Sequence, residues 1–301
     1  MPSDLALSPG TIQKKRSLLS AVRGIAHWIS ARLFKRKFSY FQIPALGLRY
    51  TVKADTIFSW HLAKYRAFES DNTNFLTQNL GYESGGLFVD VGANFGWFTC
   101  LFSRIAGAGG KVVAFEPAKD NLALLRTNLR NNNLKNVEVI ENAVGAEPGK
   151  APLHLAPATN PGMHSFVAMP HTQPSEEEQT VDITTLDIAL RLHPGKIRLL
   201  KIDIEGYEID ALLGAKETLA RCERILVEYS PGFLNAAGHR PSDLLQIIRN
   251  AGFVIHKLDK GGMKIITDAE LTQVEVIAQT DLCHQLDLLC IRDETAGKSP
   301  N

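Results

Sequence analysis

The chain has 301 residues, 45% of them hydrophobic and 22% charged, with a net charge of +1, so it carries enough apolar content for a substantial core. Its four cysteines, Cys100, Cys222, Cys283 and Cys290, form no C-x-x-C pair and have no histidine at finger spacing, which excludes a zinc finger and a redox pair and reads as reduced thiols in a cytosolic protein. No apolar run is long enough to span a bilayer, and Arg23 and Arg32 break the early apolar positions, so a soluble, cytoplasmic protein without a secretory segment is expected.

The overall balance hides an asymmetry. Residues 5 to 54 contain no acidic residue but ten basic ones, Lys14, Lys15, Arg16, Arg23, Arg32, Lys35, Arg36, Lys37, Arg49 and Lys53. Within this stretch Leu18, Val22, Ile25, Ile29 and Leu33 recur at helical spacing with Trp28 beside them, the pattern of a basic amphipathic helix. The ordinary reading is that this stripe packs on the parent domain and its charges are solvated. The alternatives are peripheral attachment to an anionic membrane and a transit peptide.

The aromatic and β-branched run from Phe38 to Val52, broken at Pro44 and Gly47, predicts a hairpin, and residues 56 to 80 look helical. Residues 1–80 thus form a basic helix, hairpin and helical lead-in, residues 81–292 a main α/β domain, and 293–301 a disordered tail. In the main domain strands are expected at Leu87–Val91, Lys111–Glu116, Val137–Asn142, Ile197–Ile204, Arg224–Tyr229, Phe253–Leu258 and Leu286–Ile291. Helices are expected at about 94–106, 120–131, 207–221 and 241–251, with Asp120 capping one start and Gly252 closing the last. This alternation predicts a doubly wound, mostly parallel seven-stranded sheet with helices on both faces. The proline-rich stretch 156–180 reads as a long loop.

Asp90-Val91-Gly92-Ala93-Asn94-Phe95-Gly96 follows an apolar strand and opens a helix. A G-x-G-x-x-G dinucleotide fingerprint begun at Gly92 would need glycine where Asn94 and Trp97 stand. An acidic strand end without those glycines suits a cationic, phosphate-free adenosyl ligand, S-adenosylmethionine, better than a pyrophosphate. Gly92 and Asn94 then approach the ligand, and Gly96 permits close packing of the following helix. Glu116 ends the next strand and is placed to accept from both ribose hydroxyls; its structural alternative is a cap for the helix after Pro117. Asn142, at the third strand end, either bonds the base or turns the chain.

Lys201, Asp203 and Glu205 share one face of a central strand, which is costly unless they are paired or open onto a site. The bland alternative is an internal Lys201–Asp203 ion pair. Glu228 ends the next strand. No metal is expected, but if one were present Asp203, Glu205 and Glu228 would supply its oxygen ligands. Asp203 is the leading proton acceptor, with His164 second and Lys201 a third catalytic candidate; Ser165, His61 and Tyr229 are weaker.

Together, Phe88 to Thr99, Phe115-Glu116-Pro117, Asn142-Ala143-Val144-Gly145, Leu200 to Gly206 and Glu228 resemble the FkbM family of S-adenosylmethionine-dependent methyltransferases. The resemblance covers about residues 80–258 and implies the class I methyltransferase (Rossmann-like) fold, S-adenosylmethionine as cofactor, and O-methylation of a hydroxyl on a sugar, glycan or secondary metabolite. The stretch Asn160 to Ser165 departs from the small, serine-rich segment associated with that position. The expected partner is a small-molecule or glycan acceptor and not a nucleic acid. Competing readings are a nicotinamide-dependent oxidoreductase and a non-catalytic S-adenosylmethionine-binding protein.

Overall fold

A computed structural model describes residues 18–82, 85–157, 159–160, 162–166, 178–259 and 262–293. Lys14, Lys15, Arg16 and the tail beyond Asp293 lie outside the described residues. The chain begins with helix α1 (Leu18–Leu33), followed by the antiparallel hairpin of β1 (Phe38–Ile43) and β2 (Leu48–Lys53). A short 3-10 turn at Pro44–Leu46 joins the two strands, closed by Gly47 at φ 63°. The helical lead-in is two helices, α2 (Ile57–Tyr65) and α3 (Ser70–Asn79), because Arg66 and Glu69 take left-handed φ values of 55° and 40°.

The main unit then runs β3 (Gly86–Val91), α4 (Trp97–Ala106), β4 (Gly110–Phe115), α5 (Lys119–Asn131), β5 (Val137–Ile140) and β6 (Ala143–Val144). It continues with β7 (Gly149–His154), β8 (Glu178–Thr184), α6 (Leu186–Ala189), β9 (Ile197–Ile202), α7 (Glu208–Leu213), α8 (Lys216–Ala220) and β10 (Arg224–Tyr229). The last elements are α9 (Pro231–Ala236), α10 (Pro241–Asn250), β11 (Phe253–Asp259), β12 (Gly262–Ile265), α11 (Asp268–Ala278) and β13 (Leu286–Arg292).

The central sheet has the order β12-β11-β13-β10-β9-β3-β4-β5. Strands β5, β4, β3, β9 and β10 are mutually parallel, and β13 is inserted antiparallel between β10 and β11. Both faces are covered, as a parallel sheet requires. Leu87, Val89 and Val91 of β3 face a core with Ile209, Leu212 and Ile248 from α7 and α10. Phe88 on the opposite face meets Phe98 and Phe102 of α4 and the hairpin residues Leu48 and Tyr50.

The sheet has eight strands where seven were expected. The extra strand, β12, is exposed at every residue, so it carries no alternation to reveal it. The stretch 156–180 is likewise not simply a loop: its end enters β8, which pairs with β7 and β6 in a separate three-stranded sheet. The helix expected over 207–221 is divided at Gly214, where a Cβ would lie 2.2 Å from the carbonyl oxygen of Gly145. Asp120 is not a cap. The N-cap of α5 is Ala118, and Asp120 instead pairs with Lys53 at 2.6 Å.

Helix α1 forms where expected but is turned the other way from the packed reading. Val22, Ile25, Ile29 and Leu33 are exposed, while Ser20 and Ala31 are buried. Among the described residues no helix is long and apolar enough to cross a membrane.

Candidate active site

A cleft of about 300 Å³ opens at the carboxyl ends of β3, β4 and β9, walled by α2 and by the segment 162–166. This is the crevice where parallel α/β sheets bind ligands. Gly92, Asn94, Glu116, Asn142, His164, Lys201, Asp203, Glu205 and Glu228 all line it. Asp90 and Gly96 do not.

The loop after β3 is shaped by the backbone of its neighbours. Gly92 has φ 83°, and a Cβ there would stand 1.9 Å from the carbonyl oxygen of Asp203. Glycine is thus required by the approach of the β9 exit to the β3 exit, in addition to any ligand. Gly96, at φ 90°, would place a Cβ 2.6 Å from Leu125 Cδ1, so its smallness lets α5 pack against the start of α4. Asn94 sits in the left-handed region at φ 53°, a conformation asparagine tolerates better than most residues.

Glu116 is buried and doubly anchored. Asn94 N–H donates to its Oε2 at 2.7 Å, and Ala118 N–H donates to its Oε1 at 2.9 Å. Glu116 is not the side-chain cap of α5; with Asn121 as a third donor, its two oxygens keep acceptor capacity at the cleft they line. Burial pushes its carboxyl up to about 7, against the backbone donors, which pull it down. Asn142 stands half-buried in the cleft wall between β5 and β6.

Asp90 is placed behind the wall, not on it. It is fully buried, accepts from Thr99 Oγ1–H at 2.5 Å, and stands opposite Lys201 in the β3–β9 register. Its other oxygen, Oδ1, has no hydrogen-bond partner among the described residues. Burial raises its carboxyl and the nearby Lys201 charge opposes that rise. Asp90 therefore acts on the cleft through Lys201.

Lys201 is buried and donates from Nζ to Asp203 Oδ2 at 2.8 Å. Burial acts to lower its pKa, but the charges of Asp203, Asp90 and Glu69 outweigh burial and the net shift is upward. The ammonium is thus held charged among these carboxyl groups on the cleft floor. The internal Lys201–Asp203 ion pair is present, and it lines the cleft.

Around this ammonium stand further carboxyl groups. Glu205, at φ 54°, has its carboxyl raised by burial and then by Asp203. Glu228 is buried, accepts from Ser230 Oγ–H at 2.9 Å and from the Gln285 amide, and is raised by burial. Oxygens of Asp203, Glu205 and Glu228 all lie within 4.8 Å of one another. Such an oxygen-only set has the chemistry of a hard-cation site, but Lys201 and Gln285 already engage two of its members.

His164 lines the cleft with its Nδ1 accepting from Ala156 N–H at 2.8 Å. Burial, reinforced by Lys53, pushes its pKa down to about 4. A neutral ring whose acceptor nitrogen is occupied carries its proton on Nε2, so His164 is a donor to a ligand. In that tautomer the remaining nitrogen offers an N–H and no lone pair, which counts against the second proton acceptor expected from the sequence. Ser165, buried beside it, donates from Oγ to the Glu205 carbonyl at 2.7 Å.

Sequence reasoning missed Glu69. It lines the cleft from the N-cap of α3, takes a left-handed φ of 40°, and accepts from Asn72 Nδ2 at 3.0 Å. Burial, followed by the Asp287 charge, pushes its carboxyl up to about 8. The strained backbone is a signal visible only in the folded chain. Phe58 and Phe68, also from the lead-in, form an edge-to-face pair in the same wall, with centroids 5.3 Å apart.

The chain is similar to known methyltransferases. Methyltransferase 1 of Beauveria bassiana is 28% identical over 149 residues, 44% of this chain and 59% of that protein. Hexuronic acid methyltransferase AglP of Haloferax volcanii is 24% identical over 217 residues, 70% of this chain and 79% of that protein. The solved methyltransferase FkbM of Methylobacillus flagellatus KT superimposes with a TM-score of 0.42 at 15% identity, covering 77% of this chain and 52% of that one. The chain thus spans less than two thirds of the first curated relative and of this solved one. The methyltransferase FkbM domain matches residues 90–255. That match begins at Asp90 and takes in every cleft residue from β3 to β10, so the chain belongs to the FkbM methyltransferase domain family, with its α/β class I methyltransferase fold.

Proposed function

We propose that the chain transfers the methyl group of S-adenosylmethionine to a hydroxyl oxygen on a sugar, glycan or secondary metabolite. The observation that carries this reading is Glu116, held by two backbone N–H groups at the end of β4 with acceptor capacity left for a ribose. A hexuronic acid methyltransferase among the relatives supports a sugar-acid acceptor.

The donor set fits the cofactor. Glu116 would hold the ribose hydroxyls, the turn at Gly92 and Asn94 would face the amino acid portion, and Asn142 would meet the adenine. Once bound, the sulfonium supplies a methyl group already activated toward an oxygen nucleophile. The chain must then orient the acceptor, exclude water and take up the hydroxyl proton. Asp203, which accepts from Lys201 Nζ at 2.8 Å, is the proton acceptor. Glu69, raised to about 8, is largely protonated at neutral pH and donates a hydrogen bond to the acceptor. Phe58, Phe68 and Met163 supply the apolar wall that keeps water out.

The deciding experiment incubates the full chain with methyl-labelled S-adenosylmethionine and uronic-acid-containing glycans, and identifies the product by mass spectrometry. Label on an acceptor oxygen supports the reading. Cofactor binding with no transfer to any acceptor favours a binding protein, and hydride transfer from NADH favours an oxidoreductase.

A further inference from the structure

We propose that the outward face of α1 is a docking surface for bilayers bearing anionic phospholipid headgroups. The helix has two opposed faces. Ser20 and Ala31 are 1% and 3% exposed, and Gly24 between them is pressed on α2, where a Cβ would lie 3.1 Å from Trp60 Nε1 and 3.3 Å from Lys64 Cβ. On the other side Val22, Ile25, Ile29 and Leu33 are 54%, 55%, 45% and 73% exposed. Rotating the helix to bury this stripe would drive branched side chains into a contact that holds only Ser20, Gly24 and Ala31, all small. The sequence thus commits the small face inward and the apolar face outward.

The charge around the stripe selects the occupant. Arg32 flanks it, and Lys35, Arg36 and Lys37 follow directly, while Arg23 reaches back to α2 and donates to the Lys64 carbonyl at 3.2 Å. Among the described residues up to Ala54, the only ion pair is Lys53 with Asp120, so no described carboxylate neutralises these cations. The Arg32 guanidinium lies 3.8 Å over the Trp28 ring, an aromatic-cation pairing suited to the headgroup level. Phe34 and Tyr40, 71% and 75% exposed, add aromatic surface beside the basic run. An apolar stripe bordered by unopposed cations is the composition of a helix lying in the plane of an anionic interface. A symmetric contact with a second copy would instead set Arg32 and the basic run against like charges.

The test is flotation of the purified full chain with vesicles of phosphatidylcholine alone or mixed with phosphatidylserine, at low and high salt. Binding is expected only with phosphatidylserine and is expected to be reversed by salt. Arg32→Gln should weaken it about fivefold, and Ile25→Ser with Ile29→Ser about tenfold. These side chains are exposed, so melting temperature and cofactor binding should not move, which separates loss of docking from loss of fold. No flotation with phosphatidylserine at low salt overturns the proposal, and so does equal flotation with phosphatidylcholine alone. A serine variant that turns a dimer into a monomer while leaving flotation unchanged overturns it in favour of a contact between copies.

Discussion

Lys201 Nζ and Asp203 Oδ2 are joined at 2.8 Å on the floor of the cleft, with Asp90 facing the same ammonium from the neighbouring strand. The side chain of Lys201 is 5% exposed and that of Asp203 25%, so the pair is sheltered from water on the lysine side and open to a ligand on the aspartate side. Replacing Lys201 with Met leaves Asp90 buried without its counter-charge, a loss expected to cost about 3–5 kcal/mol. Thermal or denaturant unfolding of K201M checks this; a stability within error of the parent would mean that Asp90 is carried neutral.

Asp203→Asn should preserve the fold and cofactor affinity while lowering turnover by about 10²–10⁴-fold. Methyl transfer and calorimetry on the same preparation separate the two effects. Near-normal turnover would remove Asp203 as proton acceptor and turn attention to Glu205 and to a metal on the carboxylate set, for which loss of activity with EDTA is the companion measurement.

His164→Gln should leave turnover within about tenfold of the parent and should not change the pH profile above about pH 6. The reason is that burial holds the imidazole at about 4, neutral throughout that range. A loss of more than about a hundredfold, or a vanished limb of the profile, would restore histidine as a base.

Glu116→Ala should weaken S-adenosylmethionine binding by about 1.5–3 kcal/mol through loss of a charged acceptor. In the parent, ribose hydroxyls favour the ionised carboxyl, which burial holds near 7. Affinity should therefore rise with pH through about 7 and become flat in the alanine variant, as read by calorimetry across pH. An affinity independent of pH in the parent would show that Glu116 is bound as the neutral acid or lies outside the cofactor contact.

The stability of the unliganded protein should show the opposite trend. Glu116 and Glu208 have carboxyls raised by burial from 4.5 to about 7, so the folded state holds more protons than the unfolded one between those values. Their contribution is fully present below about pH 4.5 and is lost as pH rises through about 7. Melting temperature measured across that window should carry this downward component, and Glu208→Gln should reduce it.

The residues that announce themselves in the sequence are those whose demands are local. Gly92 and Glu116 are legible because a strand end, a tight turn and an acid follow in order, and the parallel strands are legible because burial on both faces writes continuous apolar runs. The Thr267 and Glu270 pair at the start of α11 forms a capping box, with Glu270 N–H donating to Thr267 Oγ1 at 3.2 Å. That signal was present in the sequence as Thr-x-x-Glu and was passed over. Other features have no local signature. Nothing around Glu69 says that it will meet Lys201, since the two are brought together by the lead-in folding back on the sheet. The outward turn of α1 also escaped periodicity, which reports that an apolar stripe exists and not which way it faces. The small residues Ser20, Gly24 and Ala31, spaced along the other side, carried that information.

Helix α2 touches two different surroundings. Ile57, Phe58 and His61 reach into the cleft, while Trp60 and Lys64 receive Gly24 of α1 on the adjoining face. Were α1 attached to a surface, as proposed, and α2 held differently for it, attachment and acceptor affinity would be linked, each shifting the other by the same factor. The FkbM core would then sense where it is through its second helix, without a separate regulatory domain.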